Sequence, residues 1–257
     1  MEKNLPFNLP IADKAYNNHV IPFLAKLDDG NVFKNFITTI LKISMYGFLI
    51  YGIYLSISGL FGDRGFFSSI DRYDGWQGIG AYVGGPLGAL LSIVVSWLGY
   101  SLLKKRIEQL YSEPYDSLLN YLYKSLFPKL IIITGELAFL LIMSAGIFQL
   151  LATLLGTVIY RPLGNLIPML IEPLNGLPGM RGITRGMNYY TDAFGNYEHF
   201  FNSLSEAIML IIMSFIILMF YYILVEIYKY AIKLIVNIIK FLPKFAIPLA
   251  IRNRTEN

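Results

Sequence analysis

Four long blocks of apolar residues alternate with charged segments along the chain. They cover residues 43–61, 79–103, 137–159 and 207–225. None contains a charged side chain, and each is long enough to cross a hydrocarbon core of about 30 Å as a helix. Because backbone polar groups must be paired within a segment that lies in lipid, the pattern predicts helices rather than strands. The chain is therefore predicted to be an all-α integral membrane protein with a bundle of four transmembrane helices.

The composition supports this class and excludes much cofactor chemistry. Of the 257 residues, 55% are hydrophobic and 15% are charged, whereas soluble domains carry about a quarter charged residues. The absence of cysteine excludes disulfides, thiolate metal sites and iron–sulfur clusters. The two histidines, His19 and His199, lie far apart and outside the apolar blocks. No block holds a serine–histidine pair or two aspartates, so we expect neither enzymatic activity nor a cofactor.

Lysines and arginines are distributed unevenly between the segments that connect the blocks. Sixteen lie in the two terminal segments and the 104–129 connection, against five in the 62–78 and 160–205 loops. Because cytoplasmic segments carry the excess of positive charge, both termini are predicted to be cytoplasmic. The residue usage is typical of an AT-rich genome and favours a bacterial inner (plasma) membrane, with an organellar inner membrane as the alternative.

These boundaries divide the chain into three regions. Residues 1–36 form a predicted cytoplasmic arm, residues 37–228 a four-helix transmembrane domain, and residues 229–257 a basic amphipathic cytoplasmic tail. No internal repeat and no matching pair of interrupted blocks is evident, which weakens the case for an inverted-repeat transporter.

The second block carries a row of small residues at a four-residue spacing, in the manner of a glycine zipper. Such a row lets another helix approach closely in a membrane. We expect it to pack against the first or third helix of the same chain, with contact to another subunit as the alternative. The fourth block has almost no small residues and is expected to be the most peripheral helix. The row comprises Gly80, Gly84, Gly88, Ser92 and Ser96.

Three charged residues, Lys42, Glu136 and Glu226, lie at the ends of the blocks on the predicted cytoplasmic side. Ionisable residues within a membrane mark ion or proton pathways and have partners close by. An ion pair of Lys42 with Glu136 or with Glu226 is therefore one hypothesis. The alternative is that each side chain reaches the headgroups. Gln149, near the middle of the third block, is expected to hydrogen-bond a neighbouring helix.

Four lysines form one narrow stripe on an otherwise apolar helix in the C-terminal tail, within about 60° of one another around the helix axis. This pattern predicts an amphipathic helix in the membrane interface, or the fourth helix continuing and turning along the membrane, with the lysines on anionic lipid headgroups. A cytoplasmic helix packed on a partner is the alternative. The stripe comprises Lys229, Lys233, Lys240 and Lys244.

The 160–205 loop is the one sizeable segment on the predicted outer side. Residues 166–180 are apolar enough either to cover the helices at the interface or to dip between them as a re-entrant filter. Interfacial cover is the commoner arrangement and is the one expected. His199 lies near Glu198 and Asp192, but one histidine makes a weak metal site, so a surface position without a metal is predicted.

These features favour a non-enzymatic multi-pass subunit that assembles or stabilises a larger inner-membrane complex. Its expected partners are membrane lipids, including anionic headgroups, and other integral membrane subunits; nucleic acid is not expected. The alternative is a small oligomeric channel or carrier for ions or small solutes, which would use Glu136, Gln149 or the 163–180 loop. A membrane-bound enzyme that acts on lipid through Arg181, Arg185 and His199 is the third hypothesis.

Overall fold

Four long apolar helices dominate the structure, a computed structural model. It describes residues 22, 31–61, 65–72, 75–114, 120–176, 192–195 and 197–241. All four helices are long and apolar enough to cross a membrane, as predicted. They are α1 (Asn31–Ser58), α2 (Gly75–Ser112), α3 (Phe127–Leu155) and α5 (Phe200–Phe241). Most of the predicted N-terminal arm, and residues 242–257 of the predicted tail, lie outside the described ranges.

Helices α1 and α2 pack against each other around the middle of α1 and in the C-terminal half of α2. Met45, Leu103 and Ile107 are buried there in one apolar cluster. Gly99 of α2 makes room for an aromatic ring, since a Cβ at this position would lie 2.4 Å from Cε1 of Phe48. This small residue therefore lets two bulky helices approach, as membrane helices require.

Helix α5 packs along α3 more extensively than any other pair of helices packs. The prediction that the fourth block is the most peripheral helix was wrong: α1 has the smaller buried share, 17% of its apolar stretch against 28% for the last helix. The reason is that α3 supplies the small residues. A Cβ at Gly135 would lie 2.4 Å from Cβ of Tyr221, and one at Gly146 would lie 2.7 Å from Cγ1 of Ile211.

The last helix continues without interruption from the fourth apolar block into the predicted tail. Its 42 residues, Phe200–Phe241, correspond to about 63 Å at 1.5 Å per residue. The predicted boundary between residues 228 and 229 therefore does not coincide with a change in the backbone. Lys229 and Lys233 lie on this helix, whereas the side chain of Lys240 and all of Lys244 lie outside the described residues.

Helix α3 begins and ends with local distortions. A π-helical turn, Tyr121–Leu126, precedes it, and Pro128 occupies the first turn, where a missing N–H is tolerated. At the other end Gly156 adopts a left-handed conformation with φ of 61°, which ends the helix at Leu155. The third block was predicted to remain helical to residue 159. Instead, the β-branched residues that follow Gly156 take an extended form, which they favour.

The chain between α3 and α5 folds back into short elements. Strand β1 (Val158–Tyr160) pairs antiparallel with β2 (Asp192–Phe194), with Val158 opposite Phe194 and Tyr160 opposite Asp192. Between them lie a 3-10 turn (Pro162–Leu166), the short helix α4 (Ile167–Ile171) and a second 3-10 turn (Glu172–Gly176). We call residues 157–176, which include β1 and α4, the inserted segment. Further 3-10 turns, Phe67–Arg72 and Tyr197–His199, lie before α2 and before α5.

Candidate functional site

The glycine row of α2 accommodates strand β1. A Cβ at Gly84 would lie 1.9 Å from the carbonyl oxygen of Val158, and one at Gly88 would lie 2.1 Å from that of Tyr160. Gly80 faces the side chain of Thr157. The predicted packing of these three glycines against a helix was therefore wrong: Gly84 and Gly88 make room for the backbone of an extended strand, and Gly80 makes room for the side chain of the residue before it.

Ser96, the last residue of the row, does meet a helix. A Cβ at Gly52 of α1 would lie 2.2 Å from Oγ of Ser96, so this position matches the predicted contact with the first helix. The hydroxyl of Ser96 donates to the carbonyl of Ser92 at 2.8 Å. Ser92 is fully buried, and its own hydroxyl has no hydrogen-bond partner among the described residues. Among the described residues, the fourth position of the row thus carries a buried hydroxyl without a hydrogen-bond partner.

The inserted segment runs back along the helices from the C-terminal end of α3. Thr157 contacts α2 at Gly80 and Tyr160 contacts it at Gly88, about 12 Å further along that helix. Nη1 of Arg161 donates to the carbonyl of Ala145 at 3.5 Å, a point about 15 Å from the end of α3. Still further along, Leu170 accepts a hydrogen bond from the hydroxyl of Tyr221. The segment therefore extends along the long helices as far as Tyr221 in the middle of α5.

Residues 157–164 of the inserted segment are all buried, and single buried residues follow further along it. Val158, Ile159 and Leu174 have no exposed surface, and Ile167 is only 1% exposed. Ile159, Ile167 and Leu174 belong to one apolar cluster to which α2, α3 and α5 all contribute, whereas Val158 belongs to a second cluster with Ala81 and Ala89 of α2. Within residues 166–176, Ile167, Ile171 and Leu174 are buried whereas Met169 is 71% exposed, so this part of the loop lies on the helices with one face buried, which is the arrangement expected of a cover. Residues 177–180 of the same apolar stretch lie outside the described ranges.

Polar side chains fix the ends of the inserted segment and the neighbouring strand. Nε2 of Gln149 donates to the carbonyl of Phe194 at 2.7 Å, so Gln149 bonds β2 and not the neighbouring helix that was expected. The hydroxyl of Tyr160 donates to the carbonyl of Leu55 on α1 at 3.0 Å. Irregular backbone is tolerated at membrane depth only where such partners are supplied by protein or by a water-filled cavity.

Arg161 is a charged residue in this apolar environment, with only 4% of its surface exposed. Removing a guanidinium from water costs several kcal/mol unless polar groups compensate for the lost hydration. Sequence reasoning did not select Arg161, because it directly follows the third apolar block and was counted as an outer-loop charge. The sequence feature that could have identified Arg161 was its position shortly after Gly156 and a run of β-branched residues.

The predicted block-end ion pairs are replaced by others. Glu136 of α3 accepts from Arg106 of α2, with 2.8 Å between Nε and Oε2. Glu226 pairs with Lys229, three residues further along the same helix, at 2.6 Å. The hypothesis that Lys42 pairs with either glutamate was wrong, and Lys42 is exposed. Arg106 was overlooked because it lies three residues beyond the predicted end of the second block.

A second polar cluster joins three helices near the same end. Nζ of Lys129 contacts a carboxylate oxygen of Glu113 at 2.7 Å and the carbonyl of Gln109 at 2.9 Å. Nζ of Lys34 on α1 donates to the carbonyl of Glu113 at 2.8 Å. Together with the Arg106–Glu136 pair, this cluster holds the ends of α1, α2 and α3 together.

His199 was considered above as a metal ligand and, with Arg181 and Arg185, as part of an active site. His199 is exposed in the 3-10 turn before α5. Within the described ranges no group of three or more histidine, aspartate or glutamate side chains could hold a metal ion. Arg181 and Arg185 lie outside the described ranges.

Comparison with known proteins gives no relative from which a function could be transferred. No protein-family model, no curated protein and no solved structure matches this chain. Function is therefore inferred from the arrangement of its own residues.

Proposed function

We propose that the protein is a non-enzymatic, multi-pass membrane protein that acts as a small channel or carrier for ions or small solutes. The observation that supports this function is the first part of the inserted segment, residues 157–164, in which the extended backbone of β1 and the buried Arg161 lie among the apolar helices. Broken, re-entrant segments of this kind line the binding sites and filters of many channels and transporters. Burying Arg161 costs free energy, and a protein with only a scaffolding role would have no function that requires this burial.

In this proposal α1, α2, α3 and α5 form a transmembrane bundle, and the last turns of α5 lie at the inner interface. Both termini are cytoplasmic, in agreement with the excess of lysine and arginine in the segments on that side. A bacterial inner membrane is the proposed location. The inserted segment then enters from the outer side as a re-entrant element, and the buried state described above is the closed one.

Purified protein in liposomes tests the transport function directly. Potassium, chloride and neutral-solute fluxes would be measured with the wild type, with Arg161→Gln and with Lys105→Gln. Lys105 is an exposed residue of α2 and serves as the matched loss of one positive charge. We expect flux of at least one solute class, altered in rate or selectivity by Arg161→Gln and unchanged by Lys105→Gln. No flux above that of empty liposomes for any of these solutes would contradict the proposal.

A second function, as a subunit of a larger membrane complex, is supported by the outer face of α1. Tyr51 and Tyr54 are half or more exposed on it, and a Cβ at Gly47 would meet nothing within 4 Å. Small residues beside aromatic ones suit close packing of another membrane helix. The test is purification in a mild detergent with identification of co-eluting proteins. A stoichiometric partner that Gly47→Leu releases, and that Ile57→Leu retains, would favour this function over transport.

A further inference from the structure

A cavity of about 590 Å³ lies between the N-terminal π-helical turn of α3 and the C-terminal part of α5. Its volume falls in the range of about 300–1,000 Å³ that is typical of ligand sites. It is separate from the inserted segment and from the proposed transport function. Its lining residues are Asn120, Tyr123, Lys124, Lys229, Ile232, Lys233 and Val236.

Two helices bring lysines to this one cavity. Lys229 and Lys233 are four residues apart on α5 and therefore share a face, and Lys124 approaches from the π-helical turn. Nζ of Lys124 lies 5.7 Å from the centre of the Tyr123 ring. Lys229 is already paired with Glu226 at 2.6 Å, so Lys124 and Lys233 carry the charge that is available to a ligand. Among the described lining residues none is acidic.

The surroundings of the cavity are apolar. Ile232 and Val236 form part of its wall, while Tyr230 and Leu234 on other faces of α5 are 71% and 63% exposed. Lysines that project from an otherwise apolar helix are typical of the membrane interface, where their stems lie along hydrocarbon and their ammonium groups reach phosphates. A soluble anion would use the lysines but would leave these apolar walls without a partner.

We infer that this cavity binds an anionic phospholipid, with the phosphate held by Lys124 and Lys233. The hydroxyl of Tyr123 donates to Oδ1 of Asn120, which orients both polar groups along one wall. Ile232 and Val236 contact the glycerol and the first methylenes of the acyl chains. Of the lysine stripe predicted from the sequence, Lys229 and Lys233 line this cavity, and the π-helical turn adds Lys124, which the stripe did not include.

Full-length protein in detergent, titrated with phosphatidylglycerol and examined by native mass spectrometry, tests the site. The variants are Lys124→Gln/Lys233→Gln and, as a control with the same loss of charge, Lys104→Gln/Lys105→Gln. Both control lysines are exposed on α2. Because each lysine near an anionic headgroup contributes on the order of 1 kcal/mol, we expect the first double variant to bind about 30-fold more weakly. The control should bind like the wild type.

Three outcomes would overturn the inference. Equal weakening in both double variants would indicate general attraction to a basic surface. Displacement of the lipid by inorganic phosphate at equal concentration would indicate a site for a soluble anion. Unchanged binding in Lys124→Gln/Lys233→Gln would place the lipid elsewhere. If that variant does not fold, Lys124→Arg/Lys233→Arg keeps the charge, and its loss of binding beside a folded control would contradict a phosphate contact.

Discussion

Tyr221 of α5 donates a hydrogen bond from its hydroxyl to the main-chain carbonyl of Leu170 in the short helix α4. The ring of Tyr221 also packs against Gly135, near the beginning of α3. One tyrosine therefore links two long helices to the short helix α4 of the inserted segment. Tyr221 is only 2% exposed, so its ring is enclosed by these neighbours.

Tyr221→Phe keeps the ring and removes this one bond. The carbonyl of Leu170 would then lack this partner, and we expect a loss of about 1–3 kcal/mol in the free energy of unfolding. Denaturant unfolding in detergent, followed by tryptophan fluorescence, would measure it. Tyr230→Phe, at a residue that is 71% exposed, is the control and should leave the midpoint unchanged. A Tyr221→Phe variant as stable as the wild type would mean that the bond contributes nothing.

Gly84→Ala should separate strand β1 from α2. The added methyl would lie 1.9 Å from the Val158 carbonyl oxygen, and backbone cannot move aside as a flexible side chain can. We expect a loss of about 1–3 kcal/mol or failure to fold, read from the thermal midpoint and the yield of monodisperse protein. Gly47→Ala is the matched control, since its Cβ meets nothing within 4 Å. Equal behaviour of the two variants would show that β1 does not occupy the groove.

The Arg106–Glu136 pair should show measurable coupling in a double-mutant cycle. Its side chains are 25% and 16% exposed, so solvent screens the pair only in part, and we expect a coupling of about 1–2 kcal/mol. The cycle uses Arg106→Gln, Glu136→Gln and the double variant, with unfolding free energies as the measurement. The Lys229–Glu226 pair, 55% and 60% exposed, should give less than about 0.5 kcal/mol. Strong coupling of Lys42 to Glu136 instead would refute the pairing.

Gln149→Leu should release strand β2, because the carbonyl of Phe194 loses the donor that lies 2.7 Å away. The chain has no cysteine, so a single Ala193→Cys substitution gives a specific probe at a fully buried position. A membrane-impermeant maleimide should label this cysteine slowly in the wild-type background and several-fold faster with Gln149→Leu. Cysteine at Tyr197, which is 59% exposed, should react equally in both. Protection of residue 193 in both backgrounds would contradict a role for Gln149.

The four long helices could be predicted from the sequence because uninterrupted apolar blocks determine them almost alone. The end of α3 could not, since Val158 and Ile159 are equally apolar in a helix and in a strand. Hydropathy describes side chains only. It therefore does not detect the left-handed φ of Gly156, which changes the direction of the backbone. Gly156 followed by Thr157, Val158 and Ile159 was the available local signal.

The residues that contact one another were harder to predict than the helices and strands themselves. The spacing of Gly80, Gly84 and Gly88 correctly indicated that something packs closely on α2, but spacing does not distinguish a helix from a strand. Arg106 pairs with Glu136 because α2 and α3 are neighbours at that depth, and a charge count along the chain contains no such information. The cavity beside Lys229 and Lys233 likewise depends on where α3 begins.

The enclosure of the inserted segment has a consequence for biogenesis. Part of its surroundings, including Ile217 and Tyr221, comes from α5, which is synthesised after the segment itself. During translation the segment therefore lacks these contacts, and its strand stays unpaired, until β2 and the last helix have been synthesised. Its burial is consequently a late step of maturation, and a chain truncated before α5 should be recognised by membrane proteases as incomplete, even with three helices already inserted.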